Sequence, residues 1–200
     1  MTAMRAKFVV SAAGPAQFPV DGLPEIAFAG RSNVGKSSLL NRLVGQRGLA
    51  ITSKTPGRTR LINFFRVNGE AYFVDLPGYG YAAAPKGLRE AWGGLVEGYL
   101  RGRAQLRGVI FLLDIRHEPT ERDLEMRGLL DEADLPWIPV LTKADKVGRN
   151  ERPRLIARIA EALALPEAEA AIPFSEATGE GGGQLWSAIR DRLRAPARPP

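Results

Sequence analysis

Gly30-Arg31-Ser32-Asn33-Val34-Gly35-Lys36-Ser37 decides how the rest of this chain is read. It has the pattern Gly, four residues, Gly, Lys, Ser. Residues 25–29, apolar after Glu25, precede it and read as a strand, and a helical pattern at 37–44 follows. Strand, glycine turn and helix are the context this motif demands. Glycines let the backbone turn tightly enough for successive N–H groups to point at phosphate oxygens. The start of the helix adds the positive end of its dipole. Lys36 can reach the β- and γ-phosphates of a nucleotide, and the Ser37 hydroxyl can hold Mg²⁺. The competing reading is a glycine turn with an incidental lysine. The flanking strand and helix count against it.

Outward from the motif, strands alternate with helical patterns. Residues 61–67 and 71–75 read as strands joined at Asn68-Gly69, a dipeptide that favours a tight hairpin, so this pair is expected to be antiparallel. Residues 109–114, 137–142 and 171–174 read as further strands, and the first two are almost wholly apolar, as in strands buried on both faces. Helices are expected at 89–100, 121–133, 152–165 and 184–193. The predicted fold class is α/β. It is a three-layer P-loop NTPase fold with a mostly parallel six-stranded sheet, one antiparallel strand and helices on both faces. Residues 1–24 are read as a lead-in packed on the domain, 25–194 as the nucleotide-binding domain and 195–200 as a flexible Pro-rich tail. The connections at 45–60 and 76–87 are long for a compact domain, and loops of that length are usually functional.

Composition narrows the function. With 200 residues, 44% of them apolar, the chain can build one substantial core. It has no cysteine, which excludes disulfides, thiolate metal sites and a cysteine nucleophile and fits a reducing cytosol. It also has no run of about eighteen apolar residues, so no membrane span is expected and the location is read as cytoplasmic. The net charge of +6 points either to a polyanionic partner such as RNA or to general solubility. His117 is the sole histidine and reads as a loop residue.

Three further elements extend the phosphate loop. Thr142-Lys143-Ala144-Asp145 follows a buried strand and resembles the Asn/Thr-Lys-x-Asp guanine element of GTPases. A carboxylate at Asp145 offers two acceptors side by side. Guanine answers with N1–H and its exocyclic amino group, whereas adenine has an acceptor at N1. The stem of Lys143 can lie along the base. Asp75-Leu76-Pro77-Gly78 also ends a strand and resembles the Asp-x-x-Gly element. There Asp75 would touch Mg²⁺ through water and the Gly78 N–H would meet the γ-phosphate. By itself this tetrapeptide reads more readily as a strand-terminal turn. Phe174-Ser175-Glu176-Ala177 follows the last strand, where a backbone N–H should meet the guanine O6. In the loop before residue 61, Thr59 is the candidate for the second hydroxyl on Mg²⁺, with Thr55 as its rival.

The wording of five segments is narrower still. The phosphate loop, Thr55-Pro56-Gly57-Arg58-Thr59, Ile62-Asn63-Phe64-Phe65, Asp75-Leu76-Pro77-Gly78-Tyr79-Gly80-Tyr81-Ala82 and Thr142-Lys143-Ala144-Asp145 together resemble the EngB family (also called YihA or YsxC) of bacterial GTPases. That family lies within the TrmE-Era-EngA-YihA-septin-like P-loop GTPases. The resemblance covers residues 7–193 and is most specific in the Gly-Tyr-Gly-Tyr-Ala extension. It departs at Glu176, where the family more often has a second serine. The resemblance implies GTP and GDP as ligands and slow, Mg²⁺-dependent hydrolysis. It also implies nucleotide contacts from Gly57, Arg58, Thr59, Arg60 and Leu61 beside those above. Finally, it implies a role in large ribosomal subunit assembly, with links to cell division and septation. Composition and spacing show neither role. A monomer is expected.

Ras-type enzymes place the attacking water with a glutamine after the Asp-x-x-Gly glycine, and here that position holds Tyr79. A phenol suits that task poorly, so slow intrinsic turnover is expected. In similar potassium-activated GTPases an asparagine at the position of Asn33 ligates K⁺, which offsets charge developing between the β- and γ-phosphates. Asn33 also suits a turn with unusual backbone angles, so both readings stand. Lys36, Asn33 and Thr59 are the candidate catalytic residues. Arg58 and Arg60 are read as RNA contacts or solvated side chains, with catalysis the remaining option. Two other functions compete: a metabolic P-loop phosphotransferase, and a division-site scaffold that uses GTP as a structural ligand.

Overall fold

The computed structural model describes residues 5–50, 61–80, 86–165 and 171–197, with the side chains of 86–92 left aside. Its centre is a sheet built from β1 (Ala6–Ala12), β2 (Glu25–Gly30), β3 (Ile62–Val67), β4 (Ala71–Asp75), β5 (Leu106–Asp114), β6 (Trp137–Thr142) and β7 (Ile172–Pro173). The strands lie in the order β1-β3-β4-β2-β5-β6-β7. β3 runs against both of its neighbours, whereas β2 is parallel to β4 and β5, and β6 is parallel to β5 and β7. The expected single antiparallel strand is therefore β3. The Asn68-Gly69 hairpin forms as read: both residues have positive φ (51° and 79°), and the Glu70 N–H donates to Val67 O at 3.0 Å.

Among the described residues the sheet has seven strands rather than the six expected. The extra strand, β1, comes from the lead-in and lies on the edge beyond β3. An edge strand need not be apolar throughout. Phe8 and Val9 are exposed, and the register slips between Phe8 and Val10, so neither a continuous apolar run nor a clean alternation marks it in the sequence.

Among the described residues five α-helices cover the sheet: α1 (Lys36–Val44), α2 (Lys86–Gly102), α3 (Glu121–Glu132), α4 (Arg152–Ala162) and α5 (Gly182–Arg194). Alternation along β5 explains the layers. Val109, Phe111 and Leu113 join a core with Val96, Tyr99 and Leu100 of α2, Met126 and Leu130 of α3, and Ile159 of α4. Ile110 and Leu112 face the other way, into a core with Leu39, Leu40 and Leu43 of α1 and Leu185 and Ile189 of α5. Successive side chains of a strand point to opposite faces, so a central strand between two helical layers must be apolar throughout. Each large side chain buried this way contributes about 1.5–3 kcal/mol. The parallel strands all point their carboxyl ends to one side. The loops leaving them collect there, where ligands of open α/β sheets bind.

Candidate functional site

The turn from β2 into α1 carries the phosphate-loop sequence. Asn33 has φ 65° and Gly35 has φ 107°, so two left-handed residues fold the chain back before the helix. An asparagine tolerates that region, and at φ 107° glycine is the residue without strain. The N–H groups of Ser32 and Val34 donate to Tyr79 O (2.9 Å) and Arg31 O (3.2 Å). The start of α1 supplies first-turn N–H groups that have no helical partner. Val34 is buried and anchors the loop from below, and its carbonyl accepts from the Thr142 hydroxyl at 2.7 Å. That hydroxyl also lies 3.0 Å from Leu113 O, so Thr142 ties the phosphate loop to β5 and to its own loop.

Lys36 and Asp75 meet at the carboxyl ends of β2 and β4. Register puts Asp75 opposite Phe28 in the neighbouring parallel strand. The buried Lys36 ammonium donates to Asp75 Oδ1. Just beyond, Gly78 packs so closely on the phosphate loop that an added Cβ would sit 3.0 Å from Ser32 N and crowd the loop backbone, so the approach favours glycine. Ser32 Oγ lies 3.4 Å from Gly78 O, and Arg31 pairs with Tyr79 in a short parallel bridge. The Asp75–Gly78 turn is thus stitched to the phosphate loop. Ser37 and Asp75 offer one hydroxyl and one carboxylate, oxygen donors of the kind Mg²⁺ takes beside substrate phosphates. Among the described residues no group of three or more His, Asp or Glu forms a metal site of its own.

Tyr79 sits one residue beyond Gly78, but its ring is buried and its hydroxyl donates to Asp123 Oδ1 at 2.9 Å. Burial first, then the Asp123 charge and hydrogen bond, push this phenol well above its ordinary pKa. Asp123 closes the first turn of α3 by accepting from Thr120 N (2.8 Å) and Thr120 Oγ1 (2.7 Å). The side chain in the glutamine position is therefore a brace to α3.

The base-side loops follow β6 and β7. Lys143 has φ 61°, and its ammonium donates to Asn33 O (3.0 Å) and lies 2.9 Å from Asp114 Oδ2. Its stem thus bridges the two loops. Asp114 at the end of β5 is gripped by Arg116 through two side-chain bonds (2.9 and 2.7 Å). Burial works against its charge, but the hydrogen bonds from Arg116 and Lys143 win and hold the carboxyl well below the usual range. Asp145 Oδ1 accepts from the Ser175 hydroxyl at 2.8 Å, and Oδ2 lies 3.2 Å from the Lys146 ammonium. The Ser175 bond draws its pKa down against the opposing effect of burial, and the Lys146 bond adds to the lowering. The Ala144 N–H donates to Phe174 O (3.1 Å), which joins the two loops along the backbone. The Ser175 N–H is engaged by Glu180 O at 3.1 Å, which leaves Glu176 and Ala177 as the sources of an N–H for a base oxygen.

The structure brings together Gly30 to Ser37, Asp75 to Gly78, Thr142 to Asp145 and Phe174 to Glu176 at one end of the sheet. Leu61 lies at the entry to β3. Thr55, Gly57, Arg58, Thr59 and Arg60 lie outside the described residues, as does Tyr81. The sequence reading missed Asp114, Asp123, Arg152 and Glu180. Asp114 did carry a signal, a carboxylate ending an apolar strand. Asp123 caps its own helix locally through Thr120, but it meets Tyr79, and Arg152 meets Glu180, only through the fold.

A family model described as 50S ribosome-binding GTPase matches residues 25–143. The chain is 47% identical over 189 residues to a probable GTP-binding protein EngB of Oceanobacillus iheyensis, covering 94% of this chain and 97% of that one. It is 50% identical over 197 residues to the corresponding protein of Citrifermentans bemidjiense, covering 98% and 91%. A crystal structure of a probable GTP-binding protein engB superimposes with a TM-score of 0.71 at 28% identity, over 85% of this chain and 98% of that one. Phosphate loop, strand order and near full-length identity agree: the chain belongs to the EngB family of P-loop GTPases.

Proposed function

We propose that this GTPase is a slow nucleotide-dependent switch in assembly of the large ribosomal subunit. One observation carries the site: the four predicted nucleotide segments converge at the carboxyl ends of the parallel strands. Lys36 turns from Asp75 to the β- and γ-phosphates. Asp145 reads the N1–H and amino group of guanine, and Lys143 lies along the base. Ser37, Thr59 and, through water, Asp75 hold Mg²⁺, which neutralises phosphate charge when bound. With the Tyr79 hydroxyl bonded to Asp123, turnover lacks a Ras-type glutamine. Asn33, exposed on the rim of the loop, is then the ligand for K⁺, which supplies positive charge between the phosphates.

The family description and the +6 charge support the ribosomal reading. That reading places the protein in the cytoplasm as a monomer, with cell division and septation depending on it through ribosome supply. Sedimentation with isolated large subunits tests it. More protein should pellet with a non-hydrolysable GTP analogue than with GDP, and subunits should speed hydrolysis more in KCl than in NaCl at equal ionic strength. Equal pelleting in every nucleotide state would overturn the switch. It would favour a scaffold that holds GTP as a structural ligand.

A further inference from the structure

Behind the base-side loops lies a side chain with no part in the nucleotide motifs. Arg152 is the first residue of α4, its side chain is largely shielded, and each of its three guanidinium nitrogens donates to the protein. Nη2 donates to Ala144 O at 2.6 Å and Nε to Val147 O at 3.2 Å. Nη1 donates to Glu180 Oε1 at 2.6 Å. Ala144 opens, and Val147 follows, the single turn Ala144–Lys146 that carries Asp145. Glu180 belongs to the other loop, and its own carbonyl accepts the Ser175 N–H at 3.1 Å.

These contacts close a ring. Asp145 accepts from the Ser175 hydroxyl, Ser175 is held by Glu180, Glu180 is paired with Arg152, and Arg152 holds both ends of the Asp145 turn. The Thr178 N–H adds to it by donating to Ser175 Oγ at 3.1 Å, so the hydroxyl proton is directed at Asp145. A planar guanidinium is suited to this position. It has five donors in a rigid fork and can serve two carbonyls and a carboxylate at once, whereas an ammonium is a single point with no fixed fan. The turn carries its own strain, because Lys143 at its start is left-handed without being glycine. A carboxylate that must meet two donors of a flat base needs its orientation held within a few tenths of an ångström.

We propose that Arg152, through Glu180, is a positioning residue that sets guanine selectivity by fixing the distance between the two base-side loops. It touches no nucleotide. It acts on the angle at which Asp145 presents its two oxygens. The inference rests on the reading of Asp145 as the base selector. Its consequence is specific: releasing the clamp weakens the contact that needs both oxygens more than the rest of the site.

Inosine triphosphate separates the two. It keeps the N1–H and lacks the exocyclic amino group, so the GTP-to-ITP affinity ratio reports the second oxygen of Asp145 alone. In Arg152→Ala we expect that ratio to shrink about fivefold, the equivalent of one neutral hydrogen bond. Arg152→Lys should recover only part of the ratio. Glu180→Ala, which keeps the carbonyl that holds Ser175, should shrink it less than Arg152→Ala. Should Arg152→Ala fail to fold, Arg152→Lys and Glu180→Ala carry the same test, since thermal melting shows which variants are intact. A folded variant whose GTP and ITP affinities fall in equal proportion makes Arg152 a structural residue and overturns the inference. Asp145→Asn checks the underlying reading separately. Gain of xanthosine triphosphate binding supports it, whereas unchanged GTP preference removes the base selector itself.

Discussion

Two buried ion pairs sit at opposite ends of β2, and they are built differently. At the amino end, Glu25 is fully buried and accepts from Arg103 Nε (2.9 Å), Arg103 Nη2 (2.5 Å) and the Tyr99 hydroxyl (2.8 Å). Arg103 goes on to Pro19 O (2.6 Å) and lies 5.5 Å over the Phe18 ring. At the carboxyl end, Lys36 and Asp75 share one hydrogen bond, and among the described residues no other side-chain hydrogen bond reaches either charged group. A buried pair offsets its desolvation only when its remaining lone pairs and protons are also satisfied. The Glu25 pair meets that condition and anchors β2 to the end of α2 and the lead-in. The Lys36 pair leaves donors and acceptors to spare, which suits the role proposed above for Lys36 on a triphosphate. The difference teaches how to tell a structural buried charge from a functional one: count the unused valences.

Breaking the anchor should cost most. Arg103→Ala leaves the Glu25 carboxylate buried and unpaired, and unfolding free energy in urea should drop by about 3–5 kcal/mol. GTP affinity of the folded fraction should hold. A loss below about 1 kcal/mol would put Glu25 among residues that water reaches, and the comparison would fail.

Lys36→Ala inverts the pattern. Triphosphate affinity by calorimetry should weaken by about 2–3 kcal/mol, the value of a charged hydrogen bond, with a smaller loss of stability. A variant that loses more stability than affinity would make this pair an anchor too.

Tyr79→Phe sharpens the comparison at a third place. It removes one hydrogen bond to Asp123, so stability should fall by about 1 kcal/mol while single-turnover GTP hydrolysis stays near wild type. Collapse of turnover in a folded Tyr79→Phe variant would bring the phenol into the chemistry.

The smallest effect concerns acid. Asp114 is held ionised below its ordinary pKa, so the stability it contributes is complete above about pH 4 and is lost as pH falls toward the lower folded value. Asp114→Asn should therefore flatten the decline of stability below about pH 4 in denaturant titrations. An unchanged acid limb would mean that Arg116 and Lys143 do not hold this carboxylate in solution.

The sequence by itself determined the phosphate loop, the Asn68-Gly69 hairpin, the doubly buried strands and the order of the nucleotide segments. All of these are local. A turn needs its glycines within a few residues, and a strand or helix repeats its own period. Even the guanine element could be read this way, because the chemistry sits in four consecutive residues. What only the tertiary structure decided is which distant groups meet. Lys36 and Asp75 are 39 residues apart, Tyr79 and Asp123 44, and Arg152 and Glu180 28. No period links such partners, and a lone arginine at a helix start looks in sequence like any solvated charge. The seventh strand belongs with them. Phe8 and Val9 show no pattern of their own, and β1 exists because β3 presents a free edge for it to pair with. Local backbone preference wrote the first set. Burial and pairing across the sheet, which act only after the chain has folded, selected the second.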